Sequence, residues 1–512
     1  MGEQGNLGGR VQDSAALAVH AAASDALVGS VGAAELAPAA AAGGGVHGEG
    51  PLSRADIAEL LARYDVQGPR YTSYPTAVEF HDSVDAADYA HHLVLANEAA
   101  LEPFSLYLHL PFCAERCLFC GCNVIITPHH DRALPYLDLM RREMKLVRAR
   151  LRDRRRVAQI HLGGGTPTFY EPKELRALLA DVIAAFPPLP GAELAVEVDP
   201  RVTRDSHVAT LAGFGFNRMS LGVQDTTPRV QEAIHRVQSL EETERVVRTA
   251  RAEGFSGLNV DLIYGLPYQT PDTFEATVEA VIALGFDRAA VYSFAFVPWI
   301  RGQQKHLPEE ALPDAATKLE LFAIARERFL AAGYEPIGMD HFARPDDELA
   351  IARREGRLRR NFQGYTALDA TDTVGLGISA IGDVAGGYFQ NTKKLSVYGE
   401  ALAGGRLATE RGFLRGPDDE ARRQVIQALM CNFHVDTRRV EADHDIRFAE
   451  YFAADLALLR RHQDEGLVSI AADRIEVAPR GRLFVRNLAM CFDRHLRERR
   501  TDPSRPVFSR TV

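Results

Sequence analysis

Four of the chain's six cysteines fall within ten residues, in the run Pro111-Phe-Cys-Ala-Glu-Arg-Cys-Leu-Phe-Cys-Gly-Cys-Asn123. Cys113, Cys117 and Cys120 have the spacing C-x3-C-x2-C. Three thiolates on one short loop can hold three corners of a [4Fe–4S] cluster and leave the fourth iron open to a ligand. A structural zinc site with Cys122 as fourth thiolate is the competing reading, although zinc fours usually come as two separated knuckles. Further along, Gly163-Gly-Gly-Thr-Pro-Thr168 offers free amides and room for close approach to a ligand. It is no phosphate loop, because no Gly-Lys-Ser/Thr follows. Val196-Glu-Val-Asp-Pro200 adds the carboxylate of Glu197, and Gly222-Val-Gln-Asp225 adds Gln224. Asp261 sits inside the apolar run Asn259-Val-Asp-Leu-Ile-Tyr-Gly-Leu-Pro267, where a buried carboxylate needs a partner or a ligand. Arg236 carries a guanidinium suited to clamping a carboxylate.

What must position these groups is legible as a rhythm. Apolar, β-rich runs occur at 105–111, 157–162, 193–198, 218–223, 257–264 and 288–296. Helical patterns follow at about 131–152, 172–186, 203–214, 228–253, 271–284 and 313–333. Strands alternating with helices predict a parallel α/β sheet. Six units are too few for a closed eight-fold barrel and suit an open, partial (β/α)6 barrel of TIM-barrel type. Ligands of such folds sit at the carboxyl ends of the strands, which is where the cysteine loop, the glycines and the carboxylates fall. After residue 340 the pattern becomes loop-like and polar–aromatic. Helices are expected at 417–432 and 445–464, a small hairpin at 466–470 and 474–477, and a helix over 479–499, together a mostly helical C-terminal accessory domain.

Composition bounds the rest. The chain has 512 residues, 46% hydrophobic and 25% charged, ordinary globular values. A net charge of −10 argues against a general nucleic-acid binder, since phosphate neutralisation needs a basic excess. No apolar run reaches the roughly 18 residues of a membrane span. Six cysteines, mostly in one loop, give no disulfide framework. Ala and Gly supply 25 of the first 50 residues, and Phe, Tyr, Trp and Lys are absent there. That composition predicts disorder, and a single Arg among several acids does not fit a targeting peptide. Ser53-Arg-Ala-Asp56 has capping-box spacing and predicts a helix toward Arg63. The expected division is 1–51 as a disordered extension, 52–103 as a segment packing on the barrel, 104–340 as the catalytic barrel and 341–512 as an accessory domain covering the substrate.

The C-x3-C-x2-C loop after strand one, Gly-Gly-Gly-Thr-Pro after strand two and Glu197 after strand three resemble the radical S-adenosylmethionine (SAM) enzymes. Further segments resemble the haem-biosynthetic branch of that family that acts on coproporphyrinogen III. They are Pro69-Arg-Tyr-Thr-Ser-Tyr-Pro75, Cys120-Gly-Cys-Asn123, Gly338-Met-Asp-His-Phe-Ala-Arg-Pro-Asp-Asp-Glu-Leu349 and Arg360-Asn-Phe-Gln-Gly-Tyr-Thr366. The resemblance runs from about residue 64 to the C-terminus. It implies that Cys113, Cys117 and Cys120 ligate a [4Fe–4S] cluster and that Cys122 does not. It implies two SAM molecules, one against Tyr107, Gly164, Glu197 and Ile381, the other against Phe119, Gly165, Thr166, Gln224, Arg236, Asp261 and Ala295. It further implies a 5′-deoxyadenosyl radical that initiates decarboxylation of two propionates to vinyl groups. An electron donor such as flavodoxin or ferredoxin, a cytoplasmic location and a monomer come with it. The substrate's carboxylates call for local cations, for which Arg70, Arg344 and Arg360 are candidates. Related haem chaperones share the loop and the barrel but lack the equivalent of Cys122 and of residues 69–75, so both features favour an enzyme.

Overall fold

The computed structural model describes residues 63–99, 103–368, 372–499, 508, 510 and 511. The expectations for residues 1–51 and for a helix starting at Ser53 lie outside the described residues.

The chain enters through a helix α1 (Ala86–Ala99) and then alternates strand and helix. The units are β1 (Phe104–Leu110), α2 (Leu134–Arg150), β2 (Val157–Gly164), α3 (Pro172–Ala185), β3 (Pro188–Val198), α4 (Asp205–Gly213) and β4 (Arg218–Gln224). They continue as α5 (Pro228–Ala233), α6 (Leu240–Ala252), β5 (Gly257–Tyr264), α7 (Pro271–Ala283), β6 (Arg288–Ser293) and α8 (Ala315–Ala331). Strands β1 to β6 pair in sequence order, all parallel. Parallel strands are covered on both faces, so they read as near-continuous apolar runs; in β1 every residue but Tyr107 is buried.

Helix starts follow local chemistry. Ser239 caps α6: its hydroxyl accepts from Glu242 N and the Glu242 carboxylate accepts from Ser239 N. Thr270 caps α7 ahead of Pro271 at the first helical position. The Ser239 cap also breaks the single helix expected over 228–253 into α5 and α6. Between them His235 adopts a left-handed φ of 52°, and the Gln231 side chain ties the turn together, donating to Gln238 O and accepting from Gln238 N.

The sheet is wider than six strands. Beyond β6 it continues through β7 (Glu335–Ile337) and β8 (His341–Ala343), with β8 antiparallel to β6. A helix α9 (Glu348–Arg354) and a hairpin of β9 (Arg359–Asn361) and β10 (Gly364–Thr366) follow. The chain then returns to the opposite edge of the sheet as β11 (Thr373–Leu376), β12 (Ile381–Val384), β13 (Gly387–Asn391), a helix α10 (Leu395–Ala403) and β14 (Thr409–Leu414). β11 runs parallel to β1, and the order across the twelve strands is β14-β13-β12-β11-β1-β2-β3-β4-β5-β6-β8-β7. The sheet is open, a partial barrel. The region expected to be loop after residue 340 is thus partly sheet. Its strands are short and glycine-bearing (Gly375, Gly382, Gly387), which erases the apolar period that marks a strand. The glycines are there for contact: a Cβ on Gly375 would lie 2.7 Å from Ile381 O, and one on Gly412 2.2 Å from Tyr388 O.

The remainder is α11 (Pro417–Asn432), β15 (His434–Asp436), α12 (Thr437–His444), α13 (Phe448–Tyr451), α14 (Ala453–Asp464), the hairpin β16 (Val468–Ile470) and β17 (Arg474–Val477), α15 (Val485–Met490) and α16 (Arg494–Glu498). The helices expected over 445–464 and 479–499 are each interrupted, at Phe452 and at residues 491–493. These elements share a core of their own around Leu429, Phe433, Phe452, Leu459 and Phe484. Tyr64, Tyr71 and Tyr74 belong to this second core, whereas α1 packs Tyr89, Leu93 and Ala96 into the barrel core. Tyr71 donates to Asp493 Oδ2 at 2.9 Å, and Tyr74 OH accepts from Arg494 N at 3.1 Å. The stiff 69–75 segment is thereby tied to the C-terminal elements. No helix among the described residues is long and apolar enough to cross a membrane.

Candidate active site

The cysteine loop leaves the end of β1 and is pinned on both sides. Gly165 N donates to Leu110 O at 2.8 Å and Thr166 N to Phe112 O at 2.9 Å, so the glycine loop after β2 lies backbone to backbone on the cysteine loop. Ile125 N and Thr127 N close its far side on Pro111 O and Cys113 O. Leu118 N reaches Ile234 O after α5. Gln303 donates to Cys120 O at 2.7 Å, and Gln304 to Ala295 O at 3.1 Å and Phe119 O at 3.4 Å. A small apolar cluster of Leu118, Val230, Ile234, Leu266, Phe294 and Leu307 lies under the loop.

Above this base is a cavity of about 430 Å³ at the carboxyl ends of the strands. All four cysteines of the loop line it. So do Phe119, Gly164, Gly165, Thr166, Glu197, Gln224, Arg236 and Asp261, every one of them expected from the sequence. Tyr107 and Ile381 do not line it: Tyr107 pairs with Gly375 of β11, beside which the Ile381 backbone packs. Ala295 lines a neighbouring cavity instead, joined to the cysteine loop through Gln304. Of the three candidate arginines, Arg70 lines that second cavity. Arg360 is buried, donating to Arg70 O at 3.1 Å. Arg344 does not come near: its Nε donates to Phe286 O, ahead of the amino end of β6.

The polar groups hold one another in defined states. Glu197 accepts from His161 Nε2 at 3.1 Å and from Gly164 N at 3.3 Å. Its low-dielectric surroundings favour the neutral acid, but the His161 hydrogen bond and charge outweigh them and hold the carboxyl below its ordinary value. Asp199 behaves likewise: burial raises it, and Arg236 at 3.0 Å with Arg201 at 2.8 Å pull it down. Arg236 also donates to Gly222 O at 2.7 Å and, with Arg201, approaches Cys117 Sγ at 3.6 and 3.9 Å. Its buried Nε has no partner among the described residues. Asp261 is pushed up to about 6 by burial and by Glu197, with Ser220 and Asn259 donating to it. Burial pushes the Cys113 thiol up to about 11, while Cys120 is lowered to about 6, first by a hydrogen bond from Cys122.

His109, His161, Asp199 and Arg201 were missed in the sequence. His109 binds Tyr107 OH at 2.9 Å and Asn123 O at 2.9 Å, bracing both ends of the cysteine loop. The available signal was position alone: each lies in a strand or within three residues of its end, two to four residues from one that was singled out.

The residues fit the cluster and the sulfonium cofactor. Three thiols of one loop open into one cavity, one of them is poised as a thiolate, and guanidiniums stand at another. Fixed carboxylates and a fixed arginine face the same space, suiting an ammonium and a carboxylate.

An open α/β barrel with a C-x3-C-x2-C loop after its first strand defines the radical SAM class, and the model of the Radical SAM superfamily matches residues 107–281. The HemN C-terminal domain model matches residues 416–484. The chain is 44% identical over 457 residues to the oxygen-independent coproporphyrinogen III oxidase of Pseudomonas aeruginosa, covering 89% of this chain and 98% of the relative. It is 41% identical over 459 residues to the Synechocystis enzyme of the same name, covering 89% and 98%. The solved structure of the Escherichia coli coproporphyrinogen III oxidase, described as a radical SAM enzyme, superposes with a TM-score of 0.80 at 41% identity, covering 83% of this chain and 97% of that one. The chain belongs to the family of oxygen-independent coproporphyrinogen III oxidases.

Proposed function

We propose that the protein carries out the oxygen-independent oxidative decarboxylation of two propionates of coproporphyrinogen III to vinyl groups, giving protoporphyrinogen IX for haem synthesis. The observation that carries this reading is the convergence of three loop thiols and the strand-end polar groups on one cavity, in a chain of this family. Cys113, Cys117 and Cys120 would hold a [4Fe–4S] cluster; Tyr107, Gly164, Glu197 and Ile381 one SAM, and Phe119, Gly165, Thr166, Gln224, Arg236, Asp261 and Ala295 a second. When bound, these groups supply one-electron cleavage of a sulfonium and a carbon radical able to take a hydrogen from a propionate.

The chain's own residues orient and insulate. Glu197, held ionised by His161 and Gly164 N, presents a fixed anion to an ammonium. Arg236, anchored on Asp199 Oδ2 and Gly222 O, cannot swing away and presents a fixed cation to a carboxylate. Gly165 lets the cofactor side of the glycine loop lie flush on the cysteine loop. Cys122 donates to the Cys120 thiolate and stabilises its charge. A reductant protein, a cytoplasmic site of action and a monomeric state belong to the same proposal.

The test is anaerobic incubation of the iron–sulfide-reconstituted protein with SAM, a reductant and coproporphyrinogen III. Protoporphyrinogen IX and 5′-deoxyadenosine are the expected products. Tight haem binding with neither product would overturn the enzyme reading in favour of a haem chaperone.

A further inference from the structure

The three sulfurs proposed as ligands differ in what stands behind them. Cys113 Sγ lies 3.4 Å from Thr166 Oγ1, and Cys120 Sγ accepts from Cys122 N at 3.4 Å. Cys117 Sγ is met by two guanidiniums, Arg236 Nη1 at 3.6 Å and Arg201 Nη2 at 3.9 Å. Both cations share one anchor: Arg236 Nη1 and Arg201 Nη2 lie 3.0 and 2.8 Å from the same oxygen, Asp199 Oδ2. Arg201 is held from its own turn. Its backbone N and its Nε each donate to Asp199 Oδ1 at 3.1 Å, and Thr203 Oγ1 fixes the turn by donating to Asp199 O at 2.8 Å. Cys117, Asp199 and Arg236 are buried, and the Arg201 side chain is 17% exposed. Two guanidiniums on one carboxylate leave one net positive charge against this sulfur. Glu115 Oε2, 3.6 Å from Arg201 Nη1, does not cancel it, because the Glu115 side chain is 74% exposed and screened by water. A fixed cation and N–H donors beside a ligating thiolate favour the state of the metal centre that carries one more electron.

We propose that Arg201, a residue outside the expected cofactor contacts, sets how readily the centre held by Cys117 accepts an electron. It is a positioning residue, acting through the Cys117 sulfur and through Asp199. This rests on the proposed ligation of a [4Fe–4S] cluster by Cys113, Cys117 and Cys120. The shared anchor gives the effect a sign. Removing the Arg201 cation leaves Asp199 and Arg236 to neutralise each other, and reduction becomes harder. Removing the Asp199 anion leaves two guanidiniums without their common carboxylate, and reduction becomes easier. A change that only loosened the loop would not reverse direction between the two.

The experiment uses the full chain, reconstituted anaerobically with iron and sulfide and kept free of SAM. The fraction of reduced cluster is read by electron paramagnetic resonance across a potential titration. Arg201→Gln is expected to lower the midpoint by about 59 mV, a tenfold loss in a one-electron reduction equilibrium, which is the scale of one charge-assisted hydrogen bond. Arg201→Lys keeps the charge and should shift the midpoint by less than half as much. Asp199→Asn should raise it. Should one of the Gln and Asn variants fail to fold or to hold iron, the direction of the other against wild type decides. An unchanged or raised midpoint in Arg201→Gln, equal midpoints for the Gln and Lys variants, or an unchanged or lowered midpoint in Asp199→Asn overturns the assignment. A wild-type chain that takes up no iron–sulfur cluster overturns the proposed ligand set instead.

Discussion

Gly165→Ala isolates the contact on which the site is built. A Cβ at this position would lie 2.6 Å from the Pro111 carbonyl carbon and 2.7 Å from both Pro111 O and Phe112 O. An ordinary carbon–carbon contact is about 3.5 Å, so the overlap is about 0.9 Å. All three atoms are backbone, and the Leu110 O and Phe112 O hydrogen bonds, at 2.8 and 2.9 Å, pin the two loops at this point. No side chain can rotate aside. Gly165 is not among the positive-φ glycines, so backbone strain contributes nothing and contact alone sets the penalty. Overpacking of this kind costs about 1–3 kcal/mol. In a chain this long that shifts Tm by only a few degrees, about 2–4 °C per kcal/mol or less. Cofactor binding is the sharper readout, because a displacement of about 1 Å in a positioning group costs roughly 100-fold. Anaerobic equilibrium dialysis with SAM and the rate of 5′-deoxyadenosine release should therefore fall 10- to 100-fold. Gly121→Ala, beside Cys120 and with nothing within 4 Å of its Cβ, should leave both near wild type. Wild-type affinity and rate in folded Gly165→Ala would refute the close approach of the two loops.

Cys117→Ser should abolish product formation and cut bound iron and sulfide in the reconstituted protein by more than half; a full complement of both would remove Cys117 from the ligand set. Glu143 of α2 predicts a pH dependence of stability. It is fully buried, accepts from Gly377 N, Asn391 Nδ2 and Tyr398 OH at 2.6 Å each, and is raised by burial to about 7. The folded state then holds a proton that the unfolded state has lost. The stabilisation is complete below the unfolded carboxylate value and declines as pH rises from about 4.5 to 7, by about 3 kcal/mol in all. Glu143→Gln removes that dependence, so its stability relative to wild type, by urea unfolding, should improve by roughly that amount between pH 5 and pH 7.5; a pH-independent difference would refute the raised value.

The chemistry of the site and the barrel's rhythm were legible because both are local. C-x3-C-x2-C is a property of one loop, and the parallel strands are rich enough in apolar residues to be recovered even where polar groups interrupt them, as Asn259 and Asp261 do in β5. The glycine loop, Glu197 and Asp261 stood out as residue types that a strand end does not otherwise need. The sheet's other edge was illegible, because β11 to β14 are short and spend several positions on glycine, where close approach replaces side-chain packing. His109, Asp199 and Arg201 were hidden for a different reason: what ties them to the site is a hydrogen bond or an ion pair to a residue distant in sequence or folded back by a turn.

By itself, then, the sequence determined which atoms could bind iron and sulfonium and the order in which strand ends deliver them, since ligand identity and hydrophobic period are written residue by residue. Only the tertiary structure decided which partners shift the carboxyls of Glu197, Asp199 and Asp261, and the splitting of the expected contacts between two cavities. Those depend on which groups share a low-dielectric space, and that is fixed by packing between segments as far apart as Cys117, Asp199 and Arg236.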